Sequence, residues 1–159
     1  MTLYPGYDAY TDEQLLALVV WRESRNQPHP AKFAVASSIR NRVLHPRWWG
    51  HSYREVILDK WQYTSMDPSD PNSNKFPSPM DSAYQDCLEC AQDVLKGLPD
   101  NTEQAVSYYD RSLDSHPPAW ASSPQFAKTV DIGAFHFFTL TEFGHQNGPT
   151  PVGTEVPQN

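Results

Sequence analysis

Four things are scarce in this chain of 159 residues: cysteine, basic runs, long apolar runs and a basic, apolar N-terminus. The two cysteines, Cys87 and Cys90, form a C-x-x-C inside a stretch with helical periodicity. A four-ligand zinc site needs a second pair, which is absent. A redox pair belongs at a helix N-terminus, where the thiolate is stabilised. Both are therefore predicted to be core thiols. No Lys/Arg run exceeds an isolated pair such as Arg40 and Arg42, and the net charge is −7. That excludes nucleic-acid binding as the main task and leaves only local patches to attract an anionic polymer. No stretch approaches the roughly 20 apolar residues of a membrane span, so no membrane insertion is expected. Met1 to Gly6 has neither the basic start nor the apolar run of a secretory signal. The expectation is a protein made in the cytoplasm that reaches any target beyond the membrane through another protein's membrane lesion.

Aromatic residues and proline are plentiful instead: 13% aromatics, five Trp and 15 Pro. This suits exposed stacking platforms on rigid loops, as in a sugar-binding cleft. The length and apolar content fit one domain, expected to be a monomer, over residues 1–143. The Gly, Pro, Thr and Asn-rich stretch 144–159 reads as a flexible or loosely packed tail.

The most telling stretch is Val19-Val20-Trp21-Arg22-Glu23-Ser24-Arg25. Thr11-Asp12-Glu13-Gln14 has the capping-box pattern, and Leu15, Leu16, Leu18, Val19 and Val20 give the helix that follows an apolar face. Glu23 continues that face, three residues after Val20 and seven after Leu16. A carboxylate there is desolvated and lies at the negative end of the helix dipole; both effects raise its pKa towards that of a general acid. The competing reading is a buried Glu paired with Arg22, Arg25 or an arginine of the next helix.

Pro28-His29-Pro30 breaks the chain, and Pro30 suits the first turn of a second helix carrying Val35, Ala36, Ile39 and Val43. Ser52 to Glu55 can cap a short helix ending near Leu58. The adjacent Trp48 and Trp49 could be lid, core plug or sugar platform. Asp67 to Pro79 reads as an exposed loop, in which Asp70, Asn72, Asn74 and Asp81 follow an EF-hand-like count. Lys75 stands where that loop needs glycine and Asp81 is shorter than the bidentate Glu, so no metal is assigned. Ser78-Pro79 should open the longest helix, with Tyr84, Cys87, Leu88, Ala91, Val94 and Leu95 inward and Gly97 as its stop. Ala105 to Tyr109 and Ala134 to Phe138 read as extended segments joined by a Pro/Ser-rich connection containing Trp120. The fold class is thus α+β, mostly α, with a helical core and a small β-hairpin or sheet near the C-terminus.

Trp21-Arg22-Glu23-Ser24-Arg25 resembles the Trp-Gly-Glu-Ala-Arg signature of the spore-cortex-lytic type of cell wall hydrolase, within the lysozyme and lytic transglycosylase superfamily. Asn41-Arg42-Val43, Trp61-Gln62-Tyr63-Thr64, Val94 to Gly97 with Pro99 to Thr102, Ala105 to Tyr109, Pro118 to Ala121 and Ile132 to Phe138 resemble its further segments, in order. The resemblance spans about Leu15 to Thr139 and implies a lysozyme-like fold, a peptidoglycan substrate and no cofactor. Four positions depart: Arg22 and Asn26 replace glycines, Gln27 replaces the second acid, and the histidine after Ile-Gly stands one place later, at His136.

Cleaving a glycoside with water by inversion, or by retention through a covalent intermediate, requires a second carboxylate. A substrate with an N-acetyl group and a free 6-hydroxyl needs only one acid, and the N-acetylmuramic acid of peptidoglycan has both. The reading is therefore a lytic transglycosylase with Glu23 as acid and then base and Ser24 orienting it or the substrate. Gln62, Tyr63, Tyr108, Tyr109 and His136 are the candidate substrate-binding residues. Asp67, Asp110 and Asp131 remain candidate second carboxylates for a lysozyme-type muramidase. The preferred context is a phage lysis enzyme. A glycan-binding structural protein of a virion or secretion device, and a metal-dependent hydrolase using the Asp70 loop, are the other classes.

Overall fold

The computed structural model describes residues 1–144, so the stretch expected to be a tail lies, but for Gly144, outside the described residues. Four α-helices come first: α1 (Asp12–Ser24), α2 (His29–Leu44), α3 (Tyr53–Leu58) and α4 (Ser82–Leu95). Three strands follow: β1 (Ser107–Asp110), β2 (Phe126–Ile132) and β3 (Phe135–Leu140). This is the α+β, mostly α architecture read from the sequence. No helix among the described residues is long and apolar enough to cross a membrane.

Local signals set the helix starts. Thr11 Oγ1 accepts from the Gln14 amide at 3.2 Å while Gln14 Oε1 accepts from the Thr11 amide at 2.9 Å, a reciprocal capping box. Ser52 caps α3 through the Glu55 amide, and Pro30 sits in the first turn of α2. At the end of α4, Gly97 takes φ +91°, and Leu98 N–H donates to the Asp93 carbonyl, a closure that favours glycine.

α1 is not amphipathic as expected. Every residue from Leu15 to Arg22 is buried, because α2, α3 and α4 pack around it. The physical reason is that no charge interrupts positions 14–21, so water has no claim on any face. α4 begins at Ser82, capped by Asp81, rather than at Ser78-Pro79. Its 14 residues make it shorter than α2, which has 16, and Leu95 is 39% exposed rather than inward. Cys87 and Cys90 are free, buried core thiols, pushed up to about 12 by burial.

The strands form one antiparallel sheet in the order β1-β3-β2. β2 was not foreseen. Its alternation is broken where the register shifts between Lys128 and Asp131, and that bulge hides the period-two signal. At the β2–β3 turn Gly133 has φ +57°, and a Cβ there would meet Gln27 Oε1 at 2.7 Å and Ala31 Cβ at 2.8 Å. Gln27 accepts from the Ala134 amide at 2.9 Å. Gln27 thus fastens the sheet to the α1–α2 connection.

The stretch from Asp67 to Pro79 is not simply an exposed loop. Arg22, 4% exposed, donates to the carbonyls of Ser73 (2.9 Å), Lys75 (3.1 Å) and Ser65 (3.3 Å) and to the Tyr7 hydroxyl (2.8 Å). It also lies over the rings of Phe76 and Tyr7. The long side chain of Arg22 therefore ties this loop to α1.

Candidate active site

The end of α1 delivers Glu23 to the floor of a cleft of about 350 Å³. Arg42 of α2, Trp48, Trp61, Gln62 and Tyr63, the strand edge Val106-Ser107-Tyr108, and Trp120 with Phe126 line the rest. Glu23 keeps a sliver of exposure at this floor, but protein surrounds it closely enough that burial dominates and raises its pKa. Two hydroxyls partly oppose that rise. Tyr108 donates to Glu23 Oε1 at 2.7 Å. The buried Ser65 hydroxyl, which makes no hydrogen bond among the described residues, lies near enough to the same carboxyl to favour its charged form. The negative charge of Asp70 adds a smaller upward push. Glu23 makes no salt bridge among the described residues; Arg22 and Arg25 turn instead to the 65–75 loop.

Tyr108 is itself buried, and burial followed by the adjacent Glu23 charge raises its pKa well above that of a free phenol. It stays a proton donor to the carboxyl at any working pH. Its ring rests on Phe135 and Phe137 at 5.0 and 5.5 Å. Arg42 organises the opposite wall. It donates to the Val106 carbonyl (2.6 Å), Gln62 Oε1 (2.8 Å) and Ser107 Oγ (3.1 Å), and lies over the rings of Trp49 and Tyr63. Gln62 and Tyr63 thus reach the cleft as expected, and Tyr63 is buried with its pKa raised by that burial.

Three other expected site residues do not join them. Ser24 is buried and donates back to the Val20 carbonyl at 2.6 Å, the usual fate of a helical serine hydroxyl, so Ser65 and not Ser24 stands beside Glu23. Tyr109 lies on the other face of the sheet from Tyr108, because successive strand residues alternate. It stacks on Phe138 (5.7 Å) and lies tilted against His136 (5.0 Å) rather than lining the cleft. His136 is held between Asp131 (Nδ1, 2.6 Å) and Asp114 (Nε2, 2.8 Å), which makes it a brace for that face.

The candidate second carboxylates are likewise engaged elsewhere. Asp67 accepts from Ser69, Asp110 caps the turn at Ser112, and Asp131 pairs with Lys128 and His136. Among the described residues lining the cleft, Glu23 is the sole carboxylate. In the EF-hand-like count, Asp70 accepts from the Asn72 amide and Asp81 from the Tyr84 amide, so both serve as caps. A larger groove, about 1020 Å³, runs past Val43, Leu44, Tyr53, Val94 and Leu98. Its Asp100 is spent on Asn41 and the backbone of Thr102 and Gln104.

Sequence reasoning missed Arg42, Ser65, Trp61 and Trp120 as cleft residues. The pairing of Trp48 and Trp49 is resolved by burial: Trp49 is 1% exposed and donates to the Arg42 carbonyl at 2.9 Å, whereas Trp48 is 65% exposed at the rim. A signal for Arg42 existed, an arginine amid the apolar residues of α2, but its partners lie 20 to 65 positions away in the chain.

The family model for cell wall hydrolases matches residues 26–138, beginning just beyond Glu23. The spore cortex-lytic enzyme of Bacillus subtilis (strain 168) is 27% identical over 116 residues, covering 73% of this chain and 35% of that protein. The chain thus spans about a third of that relative's length. The catalytic domain of the germination-specific lytic transglycosylase SleB from Bacillus anthracis superposes with a TM-score of 0.63 at 24% identity, covering 82% of this chain and 97% of that domain. The catalytic domain of the Bacillus cereus SleB protein gives 0.62 at 25% identity, over 86% and 96%. The fold is that of these domains, and the match over most of its length makes the chain a member of the cell wall hydrolase family.

Proposed function

We propose that the chain is a lytic transglycosylase that cuts the glycosidic bond between muramic acid and N-acetylglucosamine in peptidoglycan, with Glu23 as acid and then base. The observation that carries this reading is a lone cleft carboxylate, raised in pKa by burial and held by Tyr108. Water-based hydrolysis by inversion or by a covalent intermediate needs a second carboxylate opposite the first. A one-acid cleft suits a reaction whose nucleophile belongs to the substrate.

With Oε1 accepting from Tyr108, the protonated Glu23 gives its proton to the glycosidic oxygen. The C1–O bond of muramic acid breaks and the leaving sugar departs with a hydroxyl. The acetamido oxygen supports the electron-poor C1. The Glu23 carboxylate, now stabilised by Tyr108 and Ser65, takes the proton of the 6-hydroxyl as that oxygen bonds to C1. The products are a 1,6-anhydro sugar and a reprotonated Glu23, so no proton is left over.

The relatives named above, a spore cortex-lytic enzyme and a germination-specific lytic transglycosylase, support the same substrate class. The test is to incubate purified peptidoglycan with the wild type and with Glu23→Gln and to weigh the released fragments by mass spectrometry. Anhydro-muropeptides from the wild type alone are the expected result. Reducing-end muropeptides would make water the nucleophile and overturn the one-acid mechanism.

A further inference from the structure

Two of the five tryptophans are exposed, and both stand on the rim of the Glu23 cleft: Trp48 at 65%, in the turn after α2, and Trp61 at 75%, after α3. Trp21 and Trp49 are buried in the core, and Trp120 leans on Phe126, Tyr109 and Phe138. Neither rim residue is spare surface. Trp48 is propped edge-on by the buried Trp49, ring centroids 5.3 Å apart.

Trp61 is the more informative of the two, because its backbone is strained as well as its side chain exposed. Its φ is +74°, a conformation that bulky residues avoid. The N-terminal segment enforces it. Tyr4 N–H donates to the Leu58 carbonyl at 2.8 Å, Lys60 N–H to the Thr2 carbonyl at 3.1 Å, and Trp61 N–H to the Tyr4 hydroxyl at 2.9 Å. Folding alone would favour glycine or asparagine at this position, and a polar side chain at the surface. A tryptophan here opposes stability twice, through strain and through exposed apolar area. Strain of this kind gathers at ligand-binding sites.

We propose that Trp61 and Trp48 form a sugar-stacking subsite in which an N-acetylhexosamine ring of the glycan strand rests its apolar face on indole, beyond the bond that Glu23 cleaves. This rests on the proposed function above. The ligand class follows from the surroundings. The platforms are aromatic and uncharged, and they continue into a cleft whose polar groups include Arg42, which donates to both Gln62 and Ser107. That combination suits a neutral ring with an apolar face and hydroxyls at its edge. A stacking platform reads the ring and not the stem peptide, so a stem-free oligosaccharide should occupy it.

The test titrates the N-acetylglucosamine tetrasaccharide into Glu23→Gln, following tryptophan fluorescence, and repeats the titration after adding Trp61→Gly or Trp48→Ala. Tetramer binding with a blue shift in emission is expected. Trp61→Gly should raise the Kd about tenfold, equivalent to ~1.4 kcal/mol, while the melting temperature stays level or rises because glycine relieves the strain. Trp61→Phe should recover part of the affinity. On peptidoglycan, Trp61→Gly with Glu23 intact should raise KM more than it lowers kcat. Unchanged Kd and KM in Trp61→Gly, a lowered melting temperature in that variant, or no tetramer binding by Glu23→Gln overturns the subsite. If the wild type cleaves peptidoglycan and Trp61→Gly cleaves it with the same KM, the subsite alone falls. If the wild type releases no fragments, the proposed function falls and the subsite with it.

Discussion

Replacing Glu23 by glutamine should abolish activity and make the protein more stable, by an amount that grows with pH. Glu23 is a carboxyl without a salt bridge among the described residues, and its burial raises its pKa. Bringing an ionised carboxylate out of water costs several kcal/mol in real proteins. The hydroxyl of Tyr108 offsets part of this, about 1.5–3 kcal/mol for a hydrogen bond to a charged group. The remaining penalty for the ionised form is on the order of 1–3 kcal/mol. For an acid whose folded pKa lies above its unfolded value, the folded state binds more protons, so stability falls as pH rises from the unfolded value to the raised folded one. Above that window the penalty is fully present; below it the neutral carboxyl costs little more than an amide. Glutamine retains an oxygen to accept from Tyr108 and carries no charge. Urea unfolding of both proteins at pH 4 and pH 8 checks this. Similar stability at pH 4 is expected, with Glu23→Gln ahead by about 1–3 kcal/mol at pH 8, or some 2–12 °C in Tm for a protein of this size. A variant that is less stable than the wild type at pH 8, or ahead by the same margin at both pH values, would refute the claim that burial sets the state of Glu23.

Tyr108→Phe keeps the ring on Phe135 and Phe137 but removes the donor to Glu23. The alkaline limb of kcat/KM should move to higher pH, since a bond that favours the carboxylate is lost, and kcat should fall roughly 10- to 100-fold as the second step loses its stabiliser; an unmoved limb would contradict the assignment. Arg22→Met should cost about 3–5 kcal/mol in urea unfolding, because three carbonyls and the Tyr7 hydroxyl lose a buried charged donor. It should also lower kcat, since Ser65 sits in the loop that Arg22 ties down. Asp86 and Asp131 feel burial first, but the hydrogen bonds from His29 and Lys32 and from His136 and Lys128 outweigh it and lower both pKa values. Their contribution is complete above the usual carboxylate range and is lost as pH falls through the lowered values, so Asp86→Asn should flatten part of the acid-induced loss of stability below that range.

The capping box, the proline in the first turn of α2, the Gly97 stop and the position of Glu23 were legible because each depends on residues a few positions apart in the chain. The charge at the end of an uncharged run announced itself in the same way. What local pattern could not decide was which neighbour of each pair the fold would use. Pleating sends Tyr108 to Glu23 and Tyr109 to the opposite face, and the strand's register with β3 fixes which is which. Burial chooses Trp49 for the core and Trp48 for the rim. The hydroxyl beside Glu23 comes from Ser65, across the fold, while Ser24 next door is consumed by its own helix.

The sequence by itself thus determined where most of the helices run and that a carboxyl stands at the end of α1, since backbone hydrogen bonds and side-chain desolvation along one segment already express themselves in residue order. The tertiary structure alone decided the partners of that carboxyl, its standing alone among the described residues of the cleft, and the strained tryptophan at the rim. Those depend on contacts between residues tens of positions apart, whose geometry is set when the helices and sheet pack and not before.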